Sequence, residues 1–171
     1  MIAFQNLFHF STIFLLINIS NFILSFMNRL TFYKPNPKNT GGAAQFNISD
    51  KNEVYVTLTR QVSWDDEKKK GTFKSENPLN SVSLKLTIFE LGAIAHAITT
   101  KTTFSTVHMF QGGSTSISFK PYTKKNGEMA FGFSVIKNKE KYGIGIELSE
   151  AYVVQKFCDI AIEKVIDSGQ A

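Results

Sequence analysis

Hydrophobic positions along the chain switch between two periods. In EVYVTLTRQV (53–62), Val54, Val56, Leu58 and Val62 share one side, and Tyr55, Thr57, Thr59 and Gln61 the other. Such alternation marks a β-strand. AAQFNIS (43–49) and SVSLKLT (81–87) alternate likewise, the latter with Val82, Leu84 and Leu86 inward. At Thr87-Ile88-Phe89-Glu90 the pattern becomes that of a capping box, in which a threonine and the glutamate three residues later satisfy each other's backbone N–H groups. A helix through about Ile98 is expected there. The second half repeats the plan. TFSTVHMF (103–110), TSISFKPY (115–122), MAFGFSVIK (129–137) and KYGIGIEL (141–148) read as strands, with turns at Gly112-Gly113, Asn126-Gly127 and Asn138-Lys139. Ser149 is expected to cap a helix over about 150–167, whose Val153, Val154, Phe157, Ile160, Ala161, Val165 and Ile166 are apolar. The expected class is α+β: antiparallel strands then a helix, twice over. The last helix is apolar beyond a single stripe, which suits a second subunit against it.

The segments between fall into place around this plan. Residues 28–42, with two prolines and two glycines, read as an extended arm. Residues 63–80 are polar, with a lysine run, and read as a mobile loop around a short strand near Thr72–Lys74. A single domain spans 43–167 and a tail 168–171. The first 27 residues carry no charge. Three readings of them stay open: a spurious or dispensable leader ahead of a start at Met27, a membrane anchor or targeting segment, or a structured part of the fold. A membrane partner follows only if that segment is real and retained. A start at Met27 would place the protein inside the cell, with nucleoid or organelle DNA.

Composition narrows the function. With 171 residues and 43% hydrophobic content the chain can bury a core. Its net charge of +5 favours an anionic partner. Cys158, the sole cysteine, lies in an apolar helical run and reads as a buried thiol. His9, His96 and His108 lack metal-ligand spacing. Phosphate-loop, dinucleotide, dithiol and nucleophile-elbow motifs are missing, and Glu90 is accounted for as a cap. No enzyme and no cofactor are expected.

The strand faces suggest what a partner could touch. Ile117, Phe119, Phe131 and Phe133 call for a core, whereas Ser118, Lys120, Tyr122, Ala130, Gly132 and Ser134 form a small, polar opposite face. Single strands are held by basic grooves with aromatic platforms for stacking. Tyr55, Lys85, Lys120 and Tyr122 are offered by strands. Trp64, Lys68, Lys69, Lys70, Lys74, Lys124, Lys125, Lys137, Lys139 and Lys141 are offered by loops and strand ends. Gly132, Gly143 and Gly145 would leave the sheet bare for close approach. The plain alternatives are a solvated lysine run, a Tyr122 that covers a strand end, a Trp64 tucked under its loop, and glycines at bulges.

RQVSW (60–64), SLKLTIFELGAI (83–94), FSTVHMF (104–110), SISFKPY…FGFSVIKN (116–138) and GIELSEAYVVQKFCDIAIEKVI (145–166), in that order, resemble the Whirly family of single-stranded DNA-binding proteins. Kinetoplastid mitochondrial RNA-binding proteins share that fold. The resemblance covers about residues 30–167. It implies two packed four-stranded antiparallel β-sheets per subunit, each followed by a helix, and a pinwheel homotetramer with central helices. It also implies single strands lying across the sheet edges with little sequence preference; Arg60 is counted among the candidate binding residues. The family's basic Lys-Gly-Lys-Ala-Ala-like segment corresponds to Thr40–Phe46, where a glycine and the alanines are kept and the lysines are not. The 65–80 loop is longer and more charged than the family pattern. The expected partners are single-stranded DNA first, or RNA for an annealing factor of the same fold. A membrane-tethered interaction module without nucleic acid is the rival.

Overall fold

The computed structural model describes residues 28–110 and 113–169. All readings of residues 1–27, and the Gly112 side of one expected turn, lie outside these. Among the described residues no helix is long and apolar enough to cross a membrane.

The first sheet contains β1 (Arg29–Lys34), β2 (Gly42–Ile48), β3 (Val54–Asp65), β4 (Lys70–Phe73) and β5 (Ser81–Leu86), all antiparallel. It is four strands wide at β5, in the order β1-β2-β3-β5. The long β3 outruns β5, and its second half pairs with β4 instead. The segment expected as an extended arm therefore contributes a full strand, since Pro35 and Pro37 follow β1 rather than interrupt it. After α1 (Ile88–Thr100) come β6 (Phe104–Phe110), β7 (Gly113–Thr123), β8 (Met129–Lys137) and β9 (Glu140–Glu147), paired in sequence order. The closing helix is α2 (Leu148–Asp167). The two-sheet, two-helix α+β plan is thus present.

Alternation builds the core. Phe46, Val56, Leu58, Phe119, Phe131, Phe133 and Ile146 are fully or almost fully buried. Phe46 stacks 5.7 Å from Phe133 of the other sheet and lies 5.7 Å from Phe157 of α2, so one side chain joins three layers. Burying each such ring stabilises the fold by roughly 1.5–3 kcal/mol. Cys158 is buried as expected, and desolvation pushes its thiol up to about 12.

The capping box of α1 forms as the sequence predicts. Thr87 Oγ1 accepts from Glu90 N, and Thr87 N donates to Glu90 Oε2 over 2.8 Å. The other Glu90 oxygen lies 2.6 Å from His108 Nε2, which ties the helix to β6. Three expectations are corrected. The cap of α2 is Glu147, whose N–H donates to Glu150, rather than Ser149. Val62 is exposed, because the pairing shifts between Gln61 and Ser63. Ala130 is buried between its lateral neighbours Tyr122 and Glu147 and is no part of an open face.

Candidate nucleic-acid interface

The two sheets meet at backbone distance. A Cβ on Gly42 would lie 2.2 Å from the carbonyl oxygen of Gly143, so the end of β2 rests directly on β9. Arg60 fastens the same junction. Its guanidinium donates to Lys141 O at 2.7 Å and to Glu140 Oε2 at 2.7 Å, and sits 4.4 Å from the Tyr142 ring centroid. Arg60 thus holds β3 to β9.

A cleft of about 620 Å³ opens beside this junction. Its floor is the outer face of the second sheet, with Lys120, Gly132, Ser134, Gly143 and Gly145. Its wall is the β1–β2 loop, residues 35–41. Buried Gln61 holds that loop: its Oε1 accepts from Asn36 N at 2.9 Å, and its Nε2 donates to Asn36 O at 2.9 Å and to Asn39 Oδ1 at 3.1 Å. Among the described residues no carboxylate lines the cleft, whereas Lys34, Arg60, Lys120 and Lys141 do. Lys34 is 2.6 Å from Glu150.

Tyr122 borders this floor. It is 43% exposed, and it lies across two glycines. A Cβ on Gly132 would be 3.8 Å from its ring, and one on Gly145 would be 2.8 Å from its hydroxyl. Gly132 and Gly145 are lateral neighbours across β8 and β9. They therefore seat a ring rather than leave bare backbone, and the ring carries its free surface outward. The next row across the sheet is Ser105, Ser118, Ser134 and Gly143, small and polar throughout.

The other expected residues are dispersed. Tyr55 and Lys85 sit together on the outer face of the first sheet, both bonded to Glu53 at 2.8 Å. Those bonds, Lys85 first, hold the Glu53 carboxyl below its usual value and raise Lys85 and Tyr55. Trp64 donates its Nε1–H to Asp66 at 3.1 Å on the β3–β4 hairpin. Lys68 and Lys69 lie loosely beside Asp65 and Asp66, each at 3.7 Å. Lys70 and Lys74 are exposed on and just after β4, Lys125 on the β7–β8 turn, and Lys137 and Lys139 at the β8–β9 turn. Lys124 is held by two carboxylates, Glu128 and Glu147, each at 2.6 Å, which raises it strongly. Among the described residues no group of histidine, cysteine and carboxylate side chains could hold a metal ion.

Reading the sequence alone misses Tyr33, Lys34 and the loop wall. The usable signal was Leu30 and Phe32 alternating with Thr31 and Tyr33 just ahead of Pro35.

The architecture has a solved counterpart. MRP1/MRP2 of Trypanosoma brucei superposes with a TM-score of 0.55 over 82% of this chain and 86% of that one, at 13% identity. The likeness shows a shared fold, the Whirly-like arrangement of two sheets and two helices. No known family and no curated protein matches the chain by sequence.

Proposed function

We propose that the protein binds single-stranded nucleic acid across the outer face of its second sheet, without catalysis, to protect or organise exposed strands. The observation that carries this reading is the exposed Tyr122 ring seated on Gly132 and Gly145 beside a carboxylate-free cleft with Lys120 and Lys141. An outward ring on a flat sheet gives a base a stacking surface, and ammonium groups beside it meet the phosphates. The fold shared with MRP1/MRP2 and the resemblance to the Whirly family support it. DNA is the first choice of strand and RNA the second.

We further propose a homotetramer joined through the helices. Phe89 of α1 is 83% exposed, and Tyr152, Val153 and Ile166 of α2 are exposed as well. Apolar surface of this kind on both helices suits burial against other copies.

The test is a fluorescence-anisotropy titration of the full chain with labelled single-stranded DNA, single-stranded RNA and duplex DNA, at several salt concentrations. Single strands are expected to bind more tightly than duplex, whose bases already stack on each other. Equal affinity for all three, unaffected by Tyr122→Ala, would leave only general attraction of polyanions. Light scattering checks assembly, and a stable monomer at micromolar concentration rules out the tetramer.

A further inference from the structure

On the far side of the β1–β2 loop lies a second pocket, of about 560 Å³. Adjacent strand residues point to opposite faces. Lys34 accordingly lines the cleft described above, while Tyr33 lines this pocket on the outer side of the first sheet. Tyr33 is 59% exposed, and Phe73 of β4 braces it with ring centroids 5.5 Å apart and planes inclined by 56°. Lys69 and Lys70 line the same pocket, and among the described residues no carboxylate does. Lys69 stands 3.7 Å from a largely exposed Asp66, a loose pairing in water.

The pocket is built rather than incidental. A Cβ on Gly71 would be 2.6 Å from Pro35 Cβ, so the β3–β4 hairpin is seated on the loop at a distance only glycine permits. Buried Gln61 lies between: its side chain packs against both Gly41 and Gly71 while bonding Asn36 and Asn39. One fixed loop thus separates two basic recesses, each with an exposed tyrosine ring at it. The volume falls in the range of about 300–1,000 Å³ usual for ligand sites.

We propose that the Tyr33 pocket is a second stacking site for a base of the same single strand, with Lys69 and Lys70 on the adjoining phosphate. The strand passes round the β1–β2 loop from the Tyr122 ring to the Tyr33 ring. This rests on the reading that single-stranded nucleic acid occupies the Tyr122 face.

The test uses oligothymidylates and oligouridylates of about 4 to about 16 nucleotides, a span typical of single-strand binding folds, against wild type, Tyr33→Ala, Tyr33→Phe, Tyr122→Ala and the double variant Lys69→Ala/Lys70→Ala. Tyr33→Ala is expected to bind the longest oligonucleotide roughly 5- to 150-fold more weakly, the usual effect of losing one aromatic platform. The shortest should change by no more than about twofold, since it needs only one platform. Tyr33→Phe should keep the affinity. The lysine double variant should lower the salt slope by roughly 0.7 for each phosphate left without its lysine. Thermal melts control for folding. If Tyr122→Ala weakens binding but Tyr33→Ala matches wild type at every length, the second site is wrong and the first stands. If both variants are silent at every length, the reading of the Tyr122 face falls with it.

Discussion

The Tyr122 hydroxyl lies over the backbone of Gly145, close enough that a Cβ on the glycine would be 2.8 Å from it. Gly145→Ala should therefore tilt the ring off the sheet without disturbing the core, because the atom displaced is the far end of a partly exposed side chain. Binding of single strands should weaken, and by less than for Tyr122→Ala, which should cost about 1–3 kcal/mol. The salt slope should stay unchanged in both. Anisotropy titration checks this; a Gly145→Ala protein that binds like wild type shows that the seating of the ring does not matter.

Gly42→Ala meets backbone instead. Its new Cβ would fall 2.2 Å from Gly143 O, and neither strand can retreat without parting the sheets. The expected loss of stability is roughly 1–3 kcal/mol, the range for overpacking a close contact. Urea denaturation measures it, and a change below about 0.5 kcal/mol, the usual surface effect, would mean that the junction yields.

Gln61→Ala should loosen the wall between the two recesses. It removes the partners of Asn36 N and Asn36 O at once. Leaving such groups unpaired costs about 1–3 kcal/mol. Hydrogen exchange should accelerate over residues 35–41 while the strands of the second sheet stay protected.

Lys124 should matter to stability and little to binding. The Glu128 carboxyl is held below its usual value by Lys124. A lowered carboxyl contributes stability that is present above its unfolded-state value and is lost as pH falls through the folded one. Lys124 is raised, so its own contribution holds below its usual value of 10.5 and is lost as pH rises through the higher folded value. Lys124→Ala should accordingly be less stable than wild type near neutrality. The gap should close in acid as Glu128 protonates, while the salt slope for single strands keeps its wild-type value.

Most of the strands and the α1 cap were legible because both are local: period-two alternation gives strands, and Thr87 with Glu90 needs only a three-residue spacing. What escaped was set by distant partners. Arg60 was legible as a cation, but not its carbonyl partner at Lys141, which lies 81 residues away and reaches it only once β9 crosses β3. Gly132 and Gly145 were readable as gaps in a surface, but the ring that fills them comes from another strand. Val62 faces outward because one register shift reverses the alternation that precedes it. Tyr33 was hidden by its neighbours, since a strand that ends at Pro-Asn-Pro looks like the irregular segment that follows.

Only two of the 19 basic residues are arginines, and both are engaged within the fold: Arg29 donates to Gln45, and Arg60 is spent at the sheet junction. The cationic surface left to a partner is therefore mostly lysine. An ammonium is a compact, hydrated charge on a flexible stem, with none of the planar fork by which a guanidinium locks a phosphate in one orientation. A strand lying here would be attracted without being indexed, free to shift by a nucleotide at small cost. If the proposed reading holds, the expected behaviour is short residence at any one register combined with ready diffusion along the strand.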